Sequence, residues 1–277
     1  MGRTVRKPGV AFGFSLLGGI VLCIDRLSKR FGGLKAVDGC AFSVEPGTIT
    51  GLIGPNGAGK TTLFNLLTGF IKPDGGHVRF EDKDITGQSP HRIFRAGICR
   101  TFQVPREFRE MSVVDNLMLA FPGQLGEEMW NPLIRPGAVR RQETTVRQKA
   151  MEVLEFLELA RAADESAGNL SGGQKKLLEL ARTMMSDPKL VLLDEPGAGV
   201  NRTLLKRLAD SIRRLCAERG MTFFLIEHDM DFVMRLCKRI VVMSEGRVLA
   251  EGNPKDIQCD ERVLDAYLGG QYVAVEH

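Results

Sequence analysis

Short runs of apolar residues recur along the chain and predict β-strands. The run at 190–193 is entirely aliphatic, as in a strand that is buried on both faces of a sheet. Most of the others are bounded by Gly, Pro, Asp or Ser, which are typical of turns. The predicted strands are 20–27, 40–44, 48–53, 78–80, 97–102, 190–193 and 223–226, followed by a hairpin of 240–243 with 248–250.

Amphipathic stretches between these runs predict helices. In the longest, at about 139–160, one face carries apolar residues at helical spacing: Val146, Ala150, Val153, Leu154 and Leu157. Ser112 and Asp115 predict a capping box that opens a helix ending near Phe121. Six of the residues in 122–137 are Pro or Gly, which predicts a loop there. The other predicted helices are 60–70, 172–185, 204–219 and 230–237.

The order of these elements predicts the fold class. Strands that alternate with helices form a mostly parallel sheet with helices on both faces, which is an α/β fold. The helical block at about 104–185 separates the strand at 97–102 from the strand at 190–193. We therefore expect this block to be an inserted lobe.

Composition and charge exclude several classes of protein. The chain has 277 residues, of which 43% are hydrophobic and 26% charged, as in ordinary globular proteins. Its net charge of +4 is small and its basic residues are dispersed, so no nucleic-acid partner is expected. The six cysteines contain no CxxC pair, which predicts reduced thiols without zinc or disulfides.

One apolar stretch, 10–24, follows Arg3, Arg6 and Lys7 and resembles a short signal peptide. It is shorter than the roughly 20 residues that span a bilayer, and it lacks an A-x-A cleavage site. We expect residues 1–19 to form an N-terminal extension instead. No other run approaches membrane-spanning length, so the chain is not expected to be a membrane channel.

The segment 54–61 matches the phosphate-binding pattern G-x-x-x-x-G-K-[ST] between a strand and a helix. Glycines allow backbone N–H groups to surround a phosphate at the positive end of the helix. Lys60 is expected to reach the β- and γ-phosphates, Thr61 to ligate Mg²⁺ and Thr62 to add a phosphate contact. The predicted nucleotide-binding residues are Gly54, Pro55, Asn56, Gly57, Ala58, Gly59, Lys60, Thr61 and Thr62.

Two carboxylates follow the aliphatic strand at 190–193. Ligands bind at the carboxyl edge of such sheets, so Asp194 is expected to hold Mg²⁺ through water and Glu195 to act as the general base. An ordinary acidic turn is the alternative. A second anion-binding helix end is predicted where Ser171 caps a helix that continues with Gly172, Gly173 and Gln174, although Ser-Gly-Gly alone is a common loop sequence.

The phosphate-binding segment 54–61 is a P-loop, and residues 170–174 read LSGGQ. Together with the strand that ends in Asp-Glu, they resemble the ABC ATPase family over residues 20–255. This resemblance implies a RecA-like P-loop core, an antiparallel β subdomain, an inserted helical subdomain and a C-terminal tail at 256–277. It implies that Gln103 senses Mg²⁺ and the attacking water, that His228 contacts the γ-phosphate and that Phe31 stacks on adenine. Taken singly, each of these three residues could be structural. Residues 197–201 occupy the family's D-loop position and end in Asn201, where the family usually has Asp. The dimer contacts of this loop are therefore not implied by the resemblance.

The segments LSGGQKKLLELAR and VLDAYLG resemble the importer ATPases for branched-chain amino acids. That resemblance implies a head-to-tail dimer with a second ABC ATPase subunit, which places LSGGQ of one chain over the ATP of the other. It also implies two membrane-spanning permease subunits, a periplasmic binding protein and a place on the cytoplasmic face of the inner membrane. Urea or amide importers, lipid or lipopolysaccharide exporters and soluble ABC proteins remain alternatives.

Four apolar residues after Gln103 have two possible roles. Val104, Phe108, Met111 and Val114 could line a groove for the permease helices or could pack the core of the helical lobe.

Overall fold

The computed structural model describes residues 19–101, 107–127 and 130–272. Gln103 and Val104 lie outside these ranges, as does the predicted N-terminal extension apart from Gly19. The predicted domain boundaries at 19/20 and 255/256 stay predictions.

Within the described residues the chain forms ten strands and ten α-helices. The strands are β1 (Leu22–Phe31), β2 (Leu34–Val44), β3 (Ile49–Ile53), β4 (Gly75–Phe80), β5 (Lys83–Asp84), β6 (Ile98–Arg100), β7 (Leu190–Asp194), β8 (Thr222–Ile226), β9 (Arg239–Ser244) and β10 (Arg247–Gly252). The helices are α1 (Lys60–Leu67), α2 (Pro90–Ala96), α3 (Val113–Met118), α4 (Asn131–Ile134), α5 (Pro136–Phe156), α6 (Gly172–Met184), α7 (Arg202–Arg219), α8 (Met230–Leu236), α9 (Pro254–Gln258) and α10 (Glu261–Tyr272).

Six strands form the central sheet, in the order β10-β9-β3-β8-β7-β6. The five strands from β9 to β6 run parallel, and only β10 is antiparallel to its neighbour. The order β2-β1-β4-β5 forms a second sheet, which is antiparallel throughout. The predicted α/β fold with a mostly parallel sheet and an antiparallel β unit is therefore confirmed.

The central sheet separates two hydrophobic cores. Alternate residues of β7 belong to different cores: Val191 and Leu193 pack with the helical lobe, whereas Leu190 and Leu192 pack with α1 and the antiparallel sheet. Every residue of β3, β7 and β8 is buried. Burial on both faces explains why these strands appear in the sequence as continuous apolar runs.

Helices α3 to α6 lie between β6 and β7 and form the inserted lobe. The five apolar residues that the helical spacing placed on one face of the predicted helix at 139–160 are all at most 2% exposed, although Leu157 lies just beyond the end of α5. Val114 is also buried in the core of this lobe, whereas Phe108 is half exposed and lies under the guanidinium of Arg182. Val114 therefore packs the lobe itself and does not line a groove. Among the described helices, none has the length and apolar composition that crossing a bilayer requires.

The prediction of a loop over 122–137 is wrong in part. The segment contains a 3₁₀ turn at Leu125–Glu127, the short helix α4 and the start of α5. Pro132 and Pro136 stand in the first turn of α4 and α5, where proline fits because its missing N–H has no helical partner. Proline therefore marks helix starts here.

Several predicted helix limits also shift. Helix α1 ends at Leu67 and not at residue 70, since Gly69 takes a φ of +74° and a Cβ there would lie 2.2 Å from the carbonyl oxygen of Gln88. Helix α3 ends at Met118, and α5 ends at Phe156 before Glu158 adopts a φ of +60°. Helix α7 begins earlier than predicted, at Arg202.

All six cysteine thiols are free, as their spacing predicts. Cys40, Cys99 and Cys237 are buried. Desolvation raises the pKa of the Cys40 and Cys237 thiols to about 12, so both remain protonated and act as small apolar side chains.

Candidate nucleotide-binding site

Three parallel strands end at one edge of the central sheet and position the candidate site. Strand β8 lies between β3 and β7, with Ile226 opposite both Leu52 of β3 and Asp194 of β7. The P-loop follows β3, Glu195 follows β7 and His228 follows β8. Predicted residues that are more than 100 positions apart in sequence thus meet at the carboxyl edge, where ligands bind in open α/β sheets.

The P-loop is built by close approaches between main-chain segments. Gly54 has a φ of +150°, and a Cβ on it would lie 2.0 Å from the carbonyl oxygen of Met243. At Gly59, whose φ is +97°, a Cβ would lie 2.1 Å from the carbonyl oxygen of Ala36. Side chains at either position would push the loop out of place. Asn56, Gly57 and Thr61 are exposed, which leaves the outer side of the loop open to a ligand.

Lys60 spans the loop that precedes it. Its Nζ donates hydrogen bonds to the carbonyl oxygens of Gly54, at 2.7 Å, and Pro55, at 2.9 Å. Burial lowers the pKa of Lys60, and the nearby carboxylates of Glu195 and Asp194 partly offset that effect. The ammonium group is therefore held at the loop, close to both carboxylates, as phosphate recognition at this site requires.

Asp194 has an unexpected partner in Arg100, at the end of β6. Arg100 Nη2 donates to Asp194 Oδ2 at 2.5 Å, and Nη1 donates to the side-chain oxygen of Asn65 at 2.6 Å. Both charged side chains are nearly buried, at 12% and 8% exposed. Arg100 is not among the site residues predicted from the sequence, although it lies only three residues before the predicted site residue Gln103. The arginine orients Asp194 and balances its charge.

Glu195 and His228 contact each other directly. Nε2 of His228 lies 2.8 Å from Oε1 of Glu195. The backbone of Glu195 takes a φ of +48°, and its N–H donates to the carbonyl oxygen of Ile226 at 3.0 Å. Both side chains are partly exposed, so a water molecule can reach them. The structure thus brings together the predicted base and the histidine that is expected to contact the γ-phosphate.

Helix α6 begins at the predicted N-cap, Ser171, which forms a capping box with Gln174. Ser171 N–H donates to Oε1 of Gln174 at 2.9 Å, and Gln174 N–H donates to Ser171 Oγ at 3.4 Å. Gly172 has no atom within 4 Å of where a Cβ would stand. Ser171 and Gln174 line a hollow whose other described lining residues come mainly from α7 and from residues 157–159, which follow α5, with none from the P-loop. Within this chain, the two predicted phosphate-binding elements are therefore separate.

The structure also shows the surroundings of Phe31 and Asn201. Phe31 ends β1 and is 47% exposed, with Lys29 Nζ 5.7 Å from its ring centroid. Asn201 caps α7, since its side-chain oxygen accepts from Leu204 N–H at 3.0 Å. Asn and Asp are equally good N-caps, so the departure from the usual Asp preserves this role. Gln103 lies outside the described residues.

The second glycine of the LSGGQ segment packs against α7. A Cβ on Gly173 would lie 1.3 Å from Cδ2 and 2.1 Å from Cγ of Leu204. Gly173→Ala is therefore expected to lower the free energy of unfolding by about 1–3 kcal/mol. The gain in helix propensity is smaller, about 1 kcal/mol. Chemical denaturation measures the sum of the steric penalty and the gain in helix propensity.

Gly172→Ala is the matched control, because open space surrounds that position. It should retain or slightly increase stability. The penalty of Gly173→Ala should shrink in a Leu204→Ala background, which removes the overlapping atoms. Equal stability of the two alanine variants would show that Leu204 does not constrain Gly173.

Comparisons with known proteins agree with this geometry. Residues 37–198 match the family described as ABC transporter, and residues 247–273 match the family described as branched-chain amino acid ATP-binding cassette transporter. Among curated relatives, the probable branched-chain amino acid transport ATP-binding protein LivG of Archaeoglobus fulgidus is 44% identical over 92% of this chain and 98% of its own length. The high-affinity branched-chain amino acid transport ATP-binding protein BraF of Pseudomonas aeruginosa is 43% identical, over 90% and 98%.

Solved structures give the same result. A nucleotide-free ATP-binding cassette from an ABC transporter superposes with a TM-score of 0.77 at 39% identity, covering 90% of this chain and 98% of that one. A cassette in its ADP conformation also has a TM-score of 0.77 at 39% identity, covering 91% and 100%. The matched family spans more than half of the chain, and the relatives align over nearly all of their length. The chain therefore belongs to the ATP-binding cassette family of ABC transporters, among the branched-chain amino acid transport ATP-binding proteins.

Proposed function

We propose that this chain is the ATP-hydrolysing subunit of a membrane importer for branched-chain amino acids. The observation that carries the substrate class is the match at residues 247–273, because this segment lies outside the motifs that bind nucleotide. It forms β10, α9 and α10, and Ile257 and Val263 are buried against the rest of the domain. The names of the curated relatives support the same class.

ATP binding begins at the P-loop. Backbone N–H groups at the start of α1 receive the phosphates, and Lys60 exchanges its carbonyl partners, Gly54 and Pro55, for phosphate oxygens. Thr62 adds a phosphate contact at the same helix end. The exposed ring of Phe31 stacks on the adenine through its π face.

The residues present also fit Mg²⁺. Thr61 offers an exposed hydroxyl and Asp194 a carboxylate at the same sheet edge, and oxygen ligands are those that Mg²⁺ prefers. We propose that Thr61, Asp194, acting through water, and Gln103 hold the ion. When bound, Mg²⁺ neutralises charge on the β- and γ-phosphates. Arg100 keeps Asp194 oriented toward this edge.

Hydrolysis requires a base and a group that orients it. Glu195 accepts the proton of the attacking water as the γ-phosphate bond breaks. His228 lies 2.8 Å from Glu195 Oε1, so it fixes the rotamer of the base and stands where the γ-phosphate would arrive. Gln103 contacts the same water.

A second ABC ATPase subunit would complete the site. Ser171, Gly172, Gly173 and Gln174 open α6, where Gly172 is exposed, and the hollow beside them contains no P-loop residue among its described lining. An anion-binding helix end that is separated from the P-loop of its own chain fits the nucleotide of a partner. We propose a head-to-tail dimer of this kind, in which two ATP molecules lie at the interface.

The ATPase pair would work on two membrane-spanning permease subunits. We place it at the cytoplasmic face of the inner membrane, with a periplasmic binding protein delivering the amino acid on the other side. ATP binding closes the dimer, and hydrolysis removes the γ-phosphate contacts so that it reopens. The half-exposed Phe108, at the start of the helical lobe, is available for contact with the permeases.

Uptake in cells tests this proposal. Deleting the gene is expected to abolish high-affinity uptake of labelled leucine, isoleucine and valine, and the wild-type gene should restore it. A gene carrying Glu195→Gln, which keeps the fold but removes the base, should not restore it. Normal leucine uptake together with lost urea or amide uptake would assign the chain to a different importer. Unchanged uptake of all these solutes would argue against import.

A further inference from the structure

We propose that Glu227 is a positioning residue that ties together the two chain segments carrying Glu195 and His228. The inference rests on the proposed function, since these two side chains are the ones assigned there to water activation. Glu227 directly precedes His228 and is not among the site residues predicted from the sequence.

The carboxyl group of Glu227 is buried and saturated with main-chain donors. The residue is only 4% exposed. Its Oε1 accepts a hydrogen bond from Gly197 N–H at 2.6 Å, and its Oε2 accepts from His228 N–H at 3.0 Å and from Asp229 N–H at 3.4 Å. A buried carboxyl group is unfavourable unless its oxygens are bonded, so the side chain and both loops stabilise one another.

The position of these bonds in the sheet explains their effect. Strands β7 and β8 are paired as far as Asp194 and Ile226, and one further bond joins Glu195 N–H to the Ile226 carbonyl oxygen at 3.0 Å. Beyond that point the described main chains are not paired with each other. The Glu227 side chain bonds to Gly197 N–H and so adds one more hydrogen bond between the two chain segments. This bond lies beside the 2.8 Å contact between Glu195 and His228 and fixes the distance between the main chains that carry them.

Gly197 is shaped for this contact. A Cβ there would lie 2.8 Å from Oε1 of Glu227 and 2.8 Å from Cδ1 of Leu205. The φ of Gly197 is not positive, so its glycine is not required by a left-handed turn. The absence of a side chain serves the close approach of the carboxyl group instead.

Glu227→Gln tests the role in the assembled ATPase. The amide keeps one acceptor but turns an NH₂ group toward a main-chain N–H, so one of the two loops is released. We expect kcat to fall by about 10- to 100-fold, the scale that a displacement of about 1 Å produces. The Kd for ATP should change by less than about twofold, because the P-loop does not contact Glu227. Hydrogen exchange at the amide that loses its acceptor, Gly197 or His228, should accelerate while the rest of the sheet is unaffected.

Asp229→Asn is the matched control. It makes the same change of carboxyl to amide two residues away, where the Asp229 side chain caps its own helix by accepting from Phe232 N–H at 3.0 Å. Its kcat should stay within about threefold of the wild-type value, since an amide oxygen caps as well as a carboxylate. If Glu227→Gln does not fold, Gly197→Ala probes the same link from the other side, with the same expected kinetics.

Two results would overturn the proposal. One is a Glu227→Gln enzyme with unchanged kcat and unchanged exchange at Gly197 and His228. The other is accelerated exchange throughout the chain with kcat and ATP affinity falling together, as for a merely structural residue. The proposed catalytic roles would fail separately, if Glu195→Gln hydrolysed ATP normally, and exchange at Gly197 would still report on Glu227.

Discussion

Glu195→Gln is expected to slow ATP hydrolysis by roughly 10²–10⁴-fold, the range typical of losing a general base. Glutamine has the same size and keeps an oxygen that His228 Nε2 can meet at the 2.8 Å distance seen for Glu195 Oε1. What it loses is the ability to accept a proton from the attacking water. ATP affinity should be preserved, because the phosphates bind to the P-loop and Lys60. Phosphate release under single-turnover conditions, with calorimetry of ATP binding, measures both quantities.

Glu81→Gln is a suitable control for this prediction. Glu81 also has a left-handed backbone, with a φ of +45°, but its side chain pairs with Lys189 on the surface, away from the sheet edge that carries the site. Glu81→Gln removes the same charge from a residue with a similar backbone conformation, so the rate of ATP hydrolysis should not change. A Glu195→Gln protein that hydrolysed ATP at the wild-type rate would exclude Glu195 as the base.

Lys60→Ala is expected to weaken ATP binding by about 10- to 100-fold. A hydrogen bond to a charged group contributes about 1.5–3 kcal/mol, and each 1.4 kcal/mol is a factor of ten in affinity. In the free protein Lys60 already bonds two carbonyl oxygens, so the measured loss is the difference between the phosphate contacts and these bonds. Calorimetry with a nonhydrolysable ATP analogue gives the dissociation constant directly.

The exposed Lys83, on β5, offers a control that removes one positive charge elsewhere. Lys83→Ala should bind the analogue as the wild type does. Thermal unfolding of both variants shows whether the fold is retained, since Lys60 is buried and its truncation leaves a gap. Equal affinity in Lys60→Ala and wild type would contradict the assignment of the P-loop.

The parts of this fold that depend on local pattern could be predicted from the sequence. Strands β3, β7 and β8 are mostly apolar because both of their faces are covered. Such apolar runs can be recognised in the sequence without knowing how the strands are arranged in the sheet. The P-loop is equally local, since its glycines and lysine lie within eight residues. The family resemblance then supplied the roles of distant positions such as His228, which the structure places against Glu195.

The contacts that sequence analysis missed join strands that are distant in sequence. Arg100 and Asp194 are 94 positions apart, and their pairing depends on β6 lying beside β7 with Arg100 opposite Leu192. Nothing in the local pattern at either residue indicates that register.

The loop prediction over 122–137 was wrong in part for a different reason, the position of its prolines. Density of Pro and Gly over 122–137 favoured a loop, whereas Pro132 and Pro136 occupy first-turn positions that accept proline.

The left-handed backbone of Glu195 shows where this protein favours activity over stability. A residue with a Cβ at a φ of +48° is less stable than glycine there by about 1–2 kcal/mol. Glycine would relieve that strain but has no carboxylate. A search for thermostabilising substitutions would therefore select glycine at the residue on which hydrolysis depends, and stability alone is a misleading guide for engineering this site.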